Sequence, residues 1–256
     1  MSKITFPKME GKQGFDPYFT PGDFIENIQR KRYCTKKVVF TYSSHKLNSM
    51  LIKSLGLRKI DNFIYGSREH HISMKNDVSL LFLSIGAPIT AIATDVMAAV
   101  GATEFLILGA SGGINKELSV GDIVLCSRAV RDEGTSHHYI KNSFYSNPDI
   151  KMTTKLANNM KKNNIRFFKG ADWTVDAMFR ETKKELEYYR EKGILTVEME
   201  ASALFAVAKA KRLKASAAFV ISDLLVEQSG TETYDELKLA KGYENLARVA
   251  KLFISL

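Results

Sequence analysis

VSLLFLSIGAPITAIATDVMAAVGATEFLILG, residues 78–109, is the stretch that decides the fold. VSLLFLS (78–84) is a continuous apolar run, the pattern of a strand buried on both faces. PITAIATDVMAAVG (88–101) opens with proline in its first turn and closes with glycine, the asymmetry of a helix. EFLILG (104–109) is an apolar strand again. Strand, helix and strand in so short a span call for helices layered on a sheet.

The alternation continues in both directions. KVVFTY (37–42) reads as a strand and SHKLNSMLIKSLG (44–56) as a helix ended by Gly56. Downstream come a small turn, ASGG, and a strand, GDIVLCSRAV (121–130). TTKLANNMKKN (153–163) reads as a helix, IRFFKG (165–170) as a strand and ETKKELEYYREKG (181–193) as a charged surface helix. EASALFAVAKAKR (200–212) is apolar nearly all round, which marks a deeply packed helix. ASAAFVIS (215–222) is a buried strand. In the last helix, 235–254, Leu239, Tyr243, Leu246, Ala250 and Phe253 share one stripe. No repeat or linker divides the chain. The expectation is one α/β domain over residues 37–256, a central mixed sheet flanked by helices on both sides, preceded by an irregular amino-terminal arm over residues 1–36.

Composition narrows the function classes. The 256 residues are 45% apolar, an ordinary globular proportion. No apolar run has the length of a membrane span, and MSKITFPKMEGKQG lacks a signal peptide's apolar stretch. Cys34 and Cys126 fit no metal spacing and no disulfide framework. A cytoplasmic protein is expected. The net charge of +9 is spread along the chain, and its densest groups, KRYCTKK (31–37) and KAKRLK (209–214) among them, show no aromatic interleaving. Solvated helix faces explain them better than a nucleic-acid surface, and a small anionic substrate also suits them.

Four strand ends are chemically loaded. LGASGGI (108–114) offers backbone N–H groups to an anion or is simply a tight turn; it matches neither dinucleotide nor Walker patterns. RDEGTSHHYI (131–140) is dense in titratable groups, but the adjacent His137 and His138 point apart on an extended chain, so no metal site is expected. In TVEMEASALFAVA (196–208), Glu198 and Glu200 flank Met199 at the mouth of an apolar run. They are helix-start acids favoured by the dipole, or carboxylates that accept two hydrogen bonds from a diol such as ribose. Methionine beside them would give a sugar ring a soft apolar wall. In VISDLL (220–225), Asp223 follows a buried strand, as a cap or as a proton donor.

The order and spacing of these motifs resembles the nucleoside phosphorylase family, which includes purine nucleoside phosphorylases, uridine phosphorylases and methylthioadenosine nucleosidases. VEMEASALFAVA followed by VISD carries most of the likeness, with LGASGGI, SVGDIV and WTVDAMFRET in support. RDEGTSHHY looks like the corresponding loop of a uridine-phosphorylase-like branch. The resemblance implies that Glu200 binds the ribose 2′- and 3′-hydroxyls, with Met199 under the sugar and Glu198 a secondary sugar-site candidate. It implies that Asp223 protonates or hydrogen-bonds a purine at N7; uridine-specific relatives generally lack an acid there. Met178 and Phe179 fall where such enzymes face the base. Ser111, with Ala110 and Gly112, falls at the phosphate loop.

Departures from the family pattern concern the anion. YSS (42–44) stands where a Gly-Asp-Pro loop is usual, and Gly22–Asp23 lies before the first strand. Lys46 replaces an arginine and cannot grip an anion bidentately. Ile107 stands where many phosphorylases place another arginine.

The resemblance thus implies a purine-leaning nucleoside phosphorylase using inorganic phosphate and no cofactor, as a homodimer or homohexamer with His137 or His138 reaching a subunit interface. A uridine phosphorylase and a hydrolytic nucleosidase are the alternatives within the family. A non-catalytic nucleoside- or nucleic-acid-binding protein is the alternative from another class.

Overall fold

The computed structural model describes residues 6–25, 35–42, 45–60, 67–225 and 235–256. Before the sheet, Lys12–Gly14 form a 3-10 turn and Pro21–Phe24 a one-turn helix, α1, closed by a capping box in which Thr20 and Asp23 bond reciprocally. The Gly22–Asp23 pair is therefore part of a helix start.

Strand β1 (Lys37–Tyr42) leads into helix α2 (His45–Leu55), then strands β2 (Arg58–Ile60), β3 (Ser67–Ser73) and β4 (Val78–Leu83). Helix α3 (Ala87–Ala99) crosses to β5 (Glu104–Gly113), which β6 (Ile123–Asp132) and the two-residue β7 (Tyr145–Ser146) follow. The remaining elements are α4 (Ile150–Lys162), β8 (Phe168–Val175), α5 (Lys183–Glu191), β9 (Ile194–Glu198), α6 (Ala201–Lys211), β10 (Lys214–Leu224) and α7 (Glu236–Ile254).

One ten-stranded mixed sheet results, in the order β10-β6-β8-β9-β5-β1-β4-β3-β2, with β7 beside β6. Because β10 also pairs with β5, five strands close on themselves, β5-β9-β8-β6-β10. Strict alternation feeds the two faces. On β5, Leu106 and Leu108 join α2, α4 and α7 in one core, while Phe105 and Ile107 join α3 and α6 in the other. On α7, Leu239, Tyr243, Leu246, Ala250 and Phe253 are buried, as their shared stripe requires. The helix approaches β10 and the Ser119–Asp122 turn so closely that a Cβ on Gly242 would lie 2.3 Å from Val220 Cγ2 and 2.9 Å from the Gly121 carbonyl oxygen. Among the described residues no helix is long and apolar enough to cross a membrane.

Two expected boundaries move. ASGG (110–113) is no turn but the end of β5, paired with β10 on one side and β9 on the other. Its glycines make room for neighbours: a Cβ on Gly113 would stand 2.8 Å from Leu224 Cδ2. The strand expected at 165–170 begins at Phe168 and runs to Val175. From residue 171 to 175 both of its faces are buried, and one of them carries the polar Asp172 and Thr174. Cys126 is buried and unpaired with another cysteine; Cys34 lies outside the described residues.

Candidate active site

β10, β5, β1 and β4 are parallel neighbours, so their carboxyl ends meet along one edge. β1 is followed in the chain by strands on one side, and α3 then returns the chain to β5 on its other side. Such a reversal leaves a crevice beyond the strand ends where ligands gather.

β9 and α6 bring the two glutamates to this edge. Glu198 ends β9, and both oxygens of its carboxylate accept hydrogen bonds. Oε1 accepts the Thr174 hydroxyl at 2.5 Å, and Oε2 accepts the backbone N–H groups of Glu200 and Ala201 at 2.7 and 2.8 Å. Thr174 Oγ1 also accepts the Ser202 N–H at 3.0 Å. Glu198 is thus the acid that satisfies the start of α6, with 6% of its surface exposed. Glu200 occupies the N-cap position but makes no capping bond. Its Oε1 instead accepts the Gly86 N–H at 2.6 Å, and Oε2 the Met199 N–H at 3.3 Å. Gly86 has a φ of 113° and opens α3, so its amide is one of the donors that the helix cannot use itself. Burial and then the Glu198 charge push the Glu200 carboxyl up to about 8, against the pull of these two amides. Tyr42, at the end of β1, is buried near both acids and bonds Thr90 of α3 at 2.9 Å through its hydroxyl. Met199 between the glutamates is half-buried.

Asp223 lies on the far side of β5 from β9. The two flanking strands meet it at one level, since Gly112 pairs with both Val197 and Asp223. A bulge makes Ser222 the extra residue and re-aims the side chains beyond it. The Ser222 hydroxyl donates to Asp223 Oδ1 at 2.6 Å and reaches the Ser111 carbonyl at 3.3 Å. Half-buried Asp223 faces Glu181, whose carboxyl is raised by burial first and by Asp223 next. Met178 and Phe179 form the exposed turn just before Glu181, with 48% and 92% of their surfaces free.

On the end of β5, Ala110 is exposed, whereas the Ser111 hydroxyl is buried without a hydrogen-bond partner among the described residues. Gly112 is half-buried between Leu225 and Val197. Ile107 is wholly enclosed in the core. Lys46, in the first turn of α2, is exposed and 3.9 Å from Glu236 Oε1. Ser43 and Ser44 lie outside the described residues.

The RDEGTSHHYI loop folds on itself. Glu133 accepts the Thr135 and Ser136 N–H groups at 2.5 and 2.9 Å and the Ser202 hydroxyl at 2.8 Å. His138 Nδ1 lies 2.7 Å from Lys12 Nζ, and the Phe6 ring meets His137 and His138 edge-on. His137 Nε2 is 3.2 Å from the Arg131 carbonyl. Both histidines thus meet the amino-terminal segment of their own chain. Among the described residues no cluster of His, Cys, Asp or Glu could hold a metal ion.

Sequence reasoning passed over Gly86, Thr174 and Asp172. SIGAPITA had one usable signal, a glycine two residues before the helix-opening Pro88. Nothing in FKGADWTV marks its polar residues as buried.

A sequence profile of the phosphorylase superfamily matches residues 58–256. A guanosine phosphorylase from Halorubrum lacusprofundi is 30% identical over 181 residues, 70% of this chain and 75% of that protein. A uridine phosphorylase from Haemophilus influenzae is 26% identical over 179 residues, 64% and 70% of the two chains. The crystal structure of a uridine phosphorylase from Vibrio fischeri ES114, in complex with 6-hydroxy-1-naphthoic acid, superposes with a TM-score of 0.77 at 20% identity, covering 88% of this chain and 93% of that one.

Proposed function

This chain belongs to the phosphorylase superfamily, and on that premise we propose that it cleaves the N-glycosidic bond of a nucleoside, a purine nucleoside by preference, with inorganic phosphate as acceptor. One observation carries this reading. Glu200 is a buried carboxylate at the meeting of four parallel strand ends, and Asp223 stands across β5 from the turn that bears it.

Bond cleavage leaves positive charge on the ribose and an electron pair on the departing base. As a carboxylate, Glu200 accepts hydrogen bonds from the ribose diol and stabilises that charge, with Met199 against the sugar. Asp223 delivers or holds a proton at the base, so that the electron pair leaves on a neutral group. A phosphate oxygen forms the new bond to C1′ as the bond to the base nitrogen breaks, giving the free base and ribose 1-phosphate. The backbone at Ala110 and Gly112, with Ser111 and Lys46, serves the anion, and Met178 and Phe179 cover the base. Glu198 acts behind Glu200, through the backbone. The assembly is read as a homodimer or homohexamer in which the His137–His138 loop lies near a second subunit.

Incubating inosine, guanosine, adenosine and uridine with and without phosphate tests the reading. Phosphate-dependent release of the purine bases is expected; turnover of uridine alone would remove the purine preference. A second reading, hydrolysis, is favoured by one observation: β5 presents an alanine methyl and a core isoleucine, and therefore no guanidinium, to an anion. Equal release of free ribose in both conditions would establish it.

A further inference from the structure

We propose that Asp172 holds a proton against Glu198 and so positions the turn that carries Glu200. The inference rests on the nucleoside-cleaving reading and says how that site is held in shape.

β8 and β9 run parallel, with Asp172 opposite Thr196 and Thr174 opposite Glu198. Residues two apart share a face, so these four polar side chains form one patch, while Trp173 and Val197 join an apolar cluster on the other face. Asp172 is fully enclosed. Its Oδ1 accepts the Thr196 hydroxyl, its Oδ2 receives no donor from any other described residue, and the strand register sets it diagonally beside Glu198 on the same face. Two ionised carboxylates side by side inside a core repel each other, so the pair keeps one proton. Glu198 already collects the Thr174 hydroxyl and two backbone N–H groups, all of which favour its ionised form. Asp172 has the Thr196 hydroxyl and the Trp173 amide. The proton therefore resides on Asp172, whose carboxyl burial and then the Glu198 charge drive well above the usual range.

Among the described residues no cation pairs with either acid. On β6, Cys126 is a buried thiol pushed up by burial first and then by the Asp172 and Glu198 charges. Arg131, opposite Thr174, spends its guanidinium on Ser136, Ser143 and the Ile140 and Lys141 carbonyls. The acid proton fills the last open side of Glu198. Glu198 in turn fixes the Glu200 and Ala201 amides, and with them the point from which Glu200 projects.

Asp172→Asn and Asp172→Ala separate this role from mere filling of space. The Asn amide donates to Glu198 while its oxygen accepts from Thr196; Ala does neither. Ala is expected to lower kcat about 10- to 100-fold through a displaced Glu200, and Asn to restore most of that loss. An Asn variant as impaired as Ala would overturn the proposal. The infrared spectrum of the folded protein near neutral pH, taken without substrate, should show, beside the band of the raised Glu200 carboxyl, a second protonated-carboxyl C=O band that Asp172→Asn removes and Glu200→Gln leaves in place. Absence of that difference overturns the assignment of the proton even if the Ala variant fails to fold. Because the infrared arm needs no turnover, a parent protein inactive on every nucleoside speaks against the proposed function, and the band still decides where the proton lies.

Discussion

Glu200 Oε1 accepts the Gly86 N–H at 2.6 Å, so the carboxylate proposed for the ribose already has a backbone partner when no sugar is bound. That bond joins the start of α6 to the start of α3 and fixes one oxygen, leaving the second, held by Met199 N–H at 3.3 Å, the more loosely tied.

Glu200→Gln should lower kcat/KM for the preferred nucleoside about 10²- to 10³-fold, because a neutral amide cannot balance charge on the ribose. The same variant should be more stable. The Glu200 carboxyl is raised from its unfolded value of 4.5 to about 8, so its contribution is intact below 4.5 and is lost as pH rises through 8. Removing that loss should raise stability at pH 8 by on the order of 4 kcal/mol, read from urea unfolding at several pH values. A less stable variant at pH 8 would contradict this.

The raised carboxyl also shapes activity. If the ionised form binds the diol, kcat/KM should climb with pH along a limb centred near 8, whereas an unshifted acid would place that limb near 4.5. Initial rates at low nucleoside concentration between pH 5 and 9 decide between the two.

His70 gives an opposite acid limb. It is buried on β3 with Nε2 2.9 Å from Ser79 Oγ and Nδ1 without a partner among the described residues, and burial lowers it from 6.5 to about 4. The unfolded chain takes up this proton first, so the stabilisation present above 6.5 is lost as pH falls towards 4. Relative to His70→Asn, the parent should lose about 3 kcal/mol across that window. Parallel stability curves for the two proteins would refute the assignment.

Gly242→Ala places a methyl 2.3 Å from Val220 Cγ2 and 2.9 Å from a backbone oxygen. The oxygen belongs to a tight turn and cannot swing aside like a side-chain tip. A loss of about 1–3 kcal/mol is expected despite alanine's better helix propensity. An unchanged melting temperature would show that α7 shifts without cost.

The layers of this fold were legible because they rest on long apolar signals. VSLLFLS, EFLILG and the stripe of α7 specify their elements almost unaided, and every side chain of β4 is buried. β8 was misplaced because the local apolar signal lies in IRFF (165–168), whereas the wholly buried half of the strand, 171–175, carries the polar Asp172 and Thr174. The glycines of ASGG suggested a turn because a close neighbour and a tight bend demand the same residue. At the site, the Glu198–Glu200 pair announced itself as acids beside a core, but the division of labour did not. Which glutamate caps α6 depends on Thr174 and Gly86, which are distant in sequence and which no local pattern connects.

β10 is the last strand among the described residues, yet it sits between β5 and β6 and closes the five-strand ring. A chain growing on the ribosome therefore carries two unpaired strand edges until residues 214–224 emerge, and the cover of α7 arrives later still. Exposed edges of this kind recruit other chains. The span of synthesis between β6 and β10 is thus an aggregation-prone interval, and the strand bearing Asp223 brings it to a close.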